Sequence, residues 1–397
     1  MTSDVRLRIA LPVIILAQLF GTSLWFSING VWLSLSSEQG FTEADLGAFT
    51  LAVQLGFIIG TLSLALTGLA DRYKASMIFC ISSLFGALVN TLFILAVDHF
   101  MLAWLLRLLT GLCLAGIYPM GMKLVISWVP QYAGSALSWL LAMLTLGTAL
   151  PHLMRGFTLG LGWQAPLFTA SVIAVLGGIT VGALGCGPHL PATARRAALG
   201  QGLSALKIPN FRSVAGGYFG HCWELYAFWM LVPLLVVKPV TELNWSLSSI
   251  PWLSFALIGI GALGCLAGGW LSRAIGGFAV ARLALISSGL LCLIYPLLTV
   301  LPPFVLLVVL MLWGITVIAD SPQFSALAAQ VAPADNVGSS LAVMNAVGFA
   351  LTVPAIWLVS YSWPVFNEWV SWLLLPGPLL GLLALSKFDK ENRHDNT

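Results

Sequence analysis

The chain has 397 residues, 59% of them apolar and only 8% charged, with a net charge of +3. Its mean hydropathy is +0.98. A soluble domain carries about 25% charged residues, so this composition excludes a water-exposed globule of this size, and the slight positive balance implies no nucleic-acid partner.

Twelve apolar runs follow one another along the chain, near 7–34, 46–66, 77–97, 99–122, 135–157, 164–185, 213–237, 251–271, 279–300, 303–325, 339–360 and 364–386. A hydrocarbon core about 30 Å thick is crossed by roughly 20 such residues. Barrel strands are shorter and alternate apolar with polar residues. Stretches such as Leu290 to Leu301 do not alternate, so helices that satisfy their own backbone are expected. The expected fold class is an all-α integral membrane protein of twelve transmembrane helices.

With the N-terminus inside, the loops alternate in charge. Arg6, Arg8, Arg72, Lys74, Arg195, Arg196, Lys207, Arg212, Arg273, Arg282, Lys387, Lys390 and Arg393 fall on the cytoplasmic side. The outer loops hold Lys238 against Glu38, Glu43, Asp45, Asp98, Glu242 and Glu368. This asymmetry predicts that both termini are cytoplasmic. The first run is too long for the core of a cleavable signal and reads as the first span. The six cysteines form no CxxC or Cys/His cluster, so neither disulfides nor a bound metal is expected.

Polar groups inside the runs mark the candidate chemistry, because each is costly in lipid unless paired or hydrated. Gln18 and Asn29 in the first run and Gln54 in the second are candidate cavity residues. Arg107 lies about 8 residues from the outer end of the fourth run, roughly 12 Å deep. It is expected to face the interior, binding an anionic substrate or exchanging partners with a titrating carboxylate. The alternative is a structural pairing with helix carbonyls. Lys123 reads as an interface anchor. In the fifth run His152 follows Pro151 and is expected to line a cavity, whereas Arg155 can snorkel to the outer surface.

The seventh run carries the densest constellation: Tyr218, His221, Trp223, Glu224, Tyr226 and Trp229. His221 and Glu224 are spaced i, i+3 and share one helix face. Counted from Arg212, Glu224 is about 18 Å deep. A charged carboxylate there is expensive, so its charge can be switched by a proton, and a histidine has a suitable intrinsic range to assist. Glu224 and His221 are therefore candidates for proton coupling. With Tyr218, Tyr226 and Trp229 they are also candidates for substrate binding. The alternatives are a non-titrating inter-helix hydrogen bond and plain aromatic packing. In the tenth run Asp320 precedes Ser321 and Pro322, where the helix is loosened. It reads as a second protonation site or a cytoplasmic gate, or as a structural residue, and Asn345 reaches a similar depth.

The two halves resemble each other. Gly68 and Arg72 recur as Gly269 and Arg273 at an offset of 201, and Pro119 and Pro151 recur as Pro322 and Pro354 at an offset of 203. The expected organisation is a six-helix bundle over 1–185, a cytoplasmic linker over 186–212 and a second bundle with a short tail over 213–397. Parallel six-helix repeats are a transporter signature.

The loop after the second run reads Thr67-Gly-Leu-Ala-Asp71-Arg72-Tyr-Lys74. It resembles the Gly-x-x-x-Asp-Arg-x-Gly-Arg loop of the major facilitator superfamily (MFS), with Thr67 and Lys74 at the two glycine positions. Gly268-Gly-Trp-Leu-Ser272-Arg273 repeats the pattern with serine for aspartate, and Arg107-Leu-Leu-Thr-Gly111 is similar to the family's Arg-x-x-x-Gly motif. The resemblance spans essentially the whole chain. It implies the MFS fold and secondary active transport by alternating access, with Asp71, Arg72 and Arg273 as a conformational latch. Such a latch has a physical basis, since a carboxylate is favoured at a helix N-terminus. The alternative is a solvated loop that only sets topology. The family's antiporter motif is matched only in part by Gly147-Thr-Ala-Leu-Pro151-His152.

No phosphate-binding loop, nucleotide domain or metal motif is present, so an enzyme is not expected, nor a cofactor. Arg107, His152 and Arg155 set against Glu224 and Asp320 favour a proton-coupled carrier of a small organic or inorganic anion. The alternatives are a proton-driven exporter of amphipathic compounds and a non-transporting membrane sensor. The expected setting is a bacterial inner membrane, and the expected state a monomer.

Overall fold

The computed structural model describes residues 3–67, 69–130, 133–189, 203–333 and 337–394. Gly68, Arg195 and Arg196 lie outside the described residues, as do the side chains of Arg6, Arg8, Asp71, Lys390 and Arg393. Among the described residues the chain is helical and holds no strand. The elements are α1 Ser3–Thr22, α2 Glu43–Thr67, α3 Ala75–Ala96, and α4 in two pieces, Phe100–Ala115 and Tyr118–Trp128. Then come α5 Ala133–Phe157, α6 Gln164–Leu184, α7 Pro209–Leu235, and α8 in two pieces, Ile250–Gly259 and Gly261–Ile275. They continue as α9 Gly277–Ile294, α10 as Pro303–Ala319 and Ser321–Val331, α11 Val337–Phe366 and α12 Pro376–His394.

Among the described residues ten helical stretches are long and apolar enough to cross a membrane, Ile9–Thr22 is a shorter apolar helix, and the last stretch, Val337–Phe388, takes in α11 and most of α12. The architecture is an all-α membrane fold consistent with twelve spans.

The first span departs from the expected continuous helix over 7–34. α1 ends at Thr22, the chain turns through 23–28, and a 3-10 turn, Asn29–Val31, leads into a surface helix, Trp32–Gln39. Three local hydroxyls accompany the break. The Thr22 hydroxyl donates to Gln18 O at 2.8 Å, that of Ser23 to Phe20 O at 2.7 Å and that of Ser27 to Leu24 O at 3.2 Å. Hydroxyls that compete for carbonyls in this way loosen a helix. The last two spans also differ from expectation. α11 runs on to Phe366 and α12 starts only at Pro376. Asn367 adopts a left-handed φ of +46°, which ends α11 because the helical hydrogen-bond path cannot continue through it.

The chain divides into two compact units, Met1–Arg196 with Ser248–Gly259, and Ala197–Leu247 with Ile260–Thr397. The first half of α8 thus groups with the first unit. It packs on α5, where Phe157 meets Trp252 edge to face at 4.9 Å. Part of the anticipated linker belongs to a core, since Ala205 is buried in the second unit with Phe211, Phe324 and Phe388.

In the first unit α2 is started by Thr42, whose backbone N–H and hydroxyl both donate to Asp45 Oδ2 at 2.8 Å, satisfying a donor the helix start leaves open. Further along, α2 crosses α4 with backbones in contact. A Cβ added at Gly56 would strike Leu108 O, and one at Gly111 would strike Val53 O. Small residues permit this approach where lipid supplies no hydrophobic drive between helices.

Candidate functional site

The break in α1 exposes carbonyls inside the first unit, and Arg107 of α4 fills them. Arg107 is only 1% exposed. Its Nη2 donates to Trp25 O at 2.7 Å and to Leu24 O at 3.3 Å. Its Nη1 donates to Ser27 Oγ and to Asn90 Oδ1, both at 3.1 Å. Asn90, on α3, passes the link to α6 by donating to Leu167 O and Ser171 Oγ, both at 3.0 Å. One guanidinium therefore ties the interrupted first span to α3 and, through Asn90, to α6. Of the three guanidinium nitrogens, Nε has no hydrogen-bond partner among the described residues.

In the second unit Glu224 of α7 is also 1% exposed. Its Oε1 accepts from the indole N–H of Trp313 on α10 at 2.6 Å and from the thiol of Cys292 on α9 at 3.3 Å. Its Oε2 accepts from the Ser288 hydroxyl on α9 at 2.8 Å. All three donors are neutral, and no cation pairs with Glu224 among the described residues.

His221, one turn before Glu224, turns to a different partner. Its Nδ1 stands 2.7 Å from Asp320 Oδ1, and both side chains are buried. The contact is close, but its angles fall outside hydrogen-bond geometry. Asp320 is the residue at which α10 breaks, ahead of Pro322 in the first turn of its second piece. The pair therefore joins α7 to the break in α10.

The other candidates are placed as follows. Tyr218 lies in the second unit's core, 6.3 Å from Phe324 and 5.9 Å from His221 between ring centres. Tyr226 packs edge to face on Trp229 at 5.2 Å and lies 5.3 Å from Phe349. His152 is buried in α5 beside Pro151, whose backbone abuts Gly30, and its Nε2 has no partner among the described residues. Arg155 donates to Thr158 O at 3.4 Å and Leu161 O at 2.9 Å, closing the end of its own helix. Arg72 and Arg273 are exposed at helix ends. Asn29 donates to Thr50 Oγ1 at 3.3 Å, and Asn345 is half-buried.

Sequence reasoning missed Ser27, Asn90, Ser288, Cys292 and Trp313. Asn90 carried a usable signal, as the one amide in the third run. Ser288 and Cys292 are spaced i, i+4, which puts two weakly polar groups on one face. Trp313 gave none, because an indole in a span usually signals packing or an interface.

Helices long and apolar enough to cross a membrane, with ionisable groups buried between them, make this an integral membrane protein. The sequence matches the Major Facilitator Superfamily model over residues 14–384, and the chain belongs to that superfamily of transporters. A bacterial homolog of the human lysosomal transporter Spinster, inward-facing and unoccupied, is 14% identical, with 98% of this chain and 99% of that chain covered and a TM-score of 0.73. The same homolog in an occupied form is 14% identical, with 96% of each chain covered and a TM-score of 0.69. A mutant of the nucleoside transporter NupG is 13% identical, with 96% of this chain and 99% of that chain covered and a TM-score of 0.69. At such identities the likeness is one of fold. No curated protein matches the sequence.

Proposed function

We propose that the protein is a proton-coupled secondary transporter of a small solute, with Glu224 and the His221–Asp320 pair as its protonation sites. The observation that carries this reading is the setting of Glu224. An ionised carboxylate without a counter-ion is expensive inside a bundle, and a proton removes that cost. The three neutral donors hold the charged form when it arises. Ser288 and Cys292 can also turn their hydrogens away and accept from the acid form. Both protonation states are thus accommodated, as a coupling group requires.

The nature of the solute follows less from charge than the sequence suggested. A small anion would look to Arg107, whose terminal nitrogens already serve four acceptors. That arrangement favours Arg107 as a clasp on the first span. The anion reading then leans on His152, whose Nε2 is without a partner among the described residues. The loop charges support cytoplasmic termini, and we take the setting to be a bacterial inner membrane and the transporter to act as a monomer.

The test is transport by the full chain in liposomes loaded with a pH-sensitive dye. Solute addition should acidify the lumen with wild-type protein. Glu224→Gln should abolish uphill accumulation while solute exchange continues. Normal uphill accumulation by Glu224→Gln would remove Glu224 from the coupling role.

A further inference from the structure

We infer that the first unit contains a binding site for an uncharged solute whose ring presents a flat or apolar face and which carries several hydroxyl or amide groups, formed by Gln18, Gln54 and the Trp25–Phe57–Tyr118 aromatic group. The inference deepens the transport reading above and rests on it for the statement that a solute is carried.

Gln18 and Gln54 are completely buried. In both, neither the side-chain oxygen nor the side-chain nitrogen has a hydrogen-bond partner among the described residues. A glutamine amide can donate twice and accept twice, and folded proteins leave few such groups unsatisfied. Two idle amides in one unit therefore need an account.

Their positions supply it. Thr50, Gln54 and Phe57 lie along one face of α2, at i, i+4 and i+7. Thr50 accepts from Asn29, and Phe57 packs on Trp25 with ring centres 4.8 Å apart. Gln54 is thus set against the unwound stretch between Trp25 and Asn29. Phe57 also stacks on Tyr118 of α4, at 6.4 Å and an interplanar angle of 27°. One turn beyond Tyr118, Gly121 makes room for Gln18, because a Cβ there would collide with Gln18 Oε1. The order along this side is Gln54, then the aromatic layer, then Gln18. Each amide is one helical turn from that layer, so the two are separated by roughly 9 Å along the span. That suits a single ring with polar substituents at both ends.

The chemistry follows. Aromatic faces take a flat or apolar ring face. The two amides offer donors and acceptors together, and a site built to bond such groups rejects solutes that lack them. No charged side chain belongs to this group, and the guanidinium of Arg107 is turned to the carbonyls of Leu24 and Trp25. A nucleoside and a pyranose sugar share the required features.

The experiment is calorimetric binding to the purified full chain in lipid nanodiscs, with uridine, glucose and lactate as probes. Saturable binding of uridine alone supports the inference and assigns a planar base, and glucose alone supports it and assigns a sugar ring. Gln18→Leu and Gln54→Leu should each weaken that binding by about tenfold or more. Because neither amide has a partner to lose, both variants should unfold at or above the wild-type temperature. Gln18→Met and Gln54→Met repeat the test with a different shape. The inference is overturned if only lactate binds, or if neither neutral probe binds at millimolar concentration. Wild-type affinity in the variants, or lowered stability in both the leucine and methionine series, overturns it as well. Equilibrium binding needs no proton gradient, so a failure of proton coupling and a failure of this site are read separately.

Discussion

In each unit one of the buried ionisable side chains ties three spans together, and the two ties are built differently. In the first unit Arg107 joins α1, α3 and α4 through acceptors only: two carbonyls, a hydroxyl and an amide oxygen. In the second unit Glu224 joins α7, α9 and α10 through donors only: a hydroxyl, a thiol and an indole. By order in the half-chain repeat these are corresponding spans. A guanidinium keeps its proton throughout the physiological range, so the first junction is a fixed clasp. The carboxylate can gain a proton, and two of its three donors can reverse their role. The same place in a duplicated bundle thus serves permanence in one half and, on the proposed function, switching in the other.

The largest effect should come from cutting the clasp. Arg107→Met withdraws the charged donor that two carbonyls, Ser27 and Asn90 share in a buried place, leaving only the Ser27 hydroxyl within reach of Asn90 Oδ1, at 2.7 Å, and of Leu24 O, at 3.2 Å. Removing one partner of such a group costs about 3 kcal/mol or more, read as a lower unfolding temperature in detergent. Arg107→Lys should recover only part of it, because an ammonium cannot reproduce the fork. A wild-type transition in Arg107→Met would break the comparison on its first side.

Next in size is Trp313→Phe, which withdraws one donor from the ionised carboxylate while keeping the ring. The protonated form is then relatively favoured, so the pH at which accumulation is half-maximal should rise by about one unit. A pH–uptake curve that does not move would show that Glu224 is not the group being titrated.

A smaller pair sharpens the contrast. Ser27→Ala should cost about 1 kcal/mol of stability and leave the pH profile where it is. Ser288→Ala should displace the profile with little loss of stability. If both serines behave alike, the two junctions do not differ in kind. The smallest change is expected at the loop after α2. Asp71→Asn should slow turnover while altering ligand affinity by less than about tenfold, or 1.4 kcal/mol.

The sequence made the spans legible because lipid demands long apolar helices, and it marked Arg107, Glu224 and Asp320 because charges are rare there. It said little about their partners. Hydrogen bonds from Ser288, Cys292 and Trp313 depend on how helices far apart in the chain are rotated, which periodicity does not encode. His221 and Glu224 share a face by spacing, yet they turn to separate partners, Asp320 and the α9–α10 donors. The break in α1 was missed for a related reason. Thr22, Ser23 and Ser27 are individually compatible with a membrane helix, and only a cation arriving from α4 makes the unwound carbonyls tolerable.

That dependence sets an order of events during synthesis. Ser27 and Arg107 are separated by 80 residues. At a ribosomal pace of roughly 5–20 residues per second, the fourth span follows the first by about 4 to 16 s. Through that interval the interrupted segment has no guanidinium to cover its carbonyls. The first span must wait, sheltered at the insertion machinery or by water near the membrane surface, until the fourth is made.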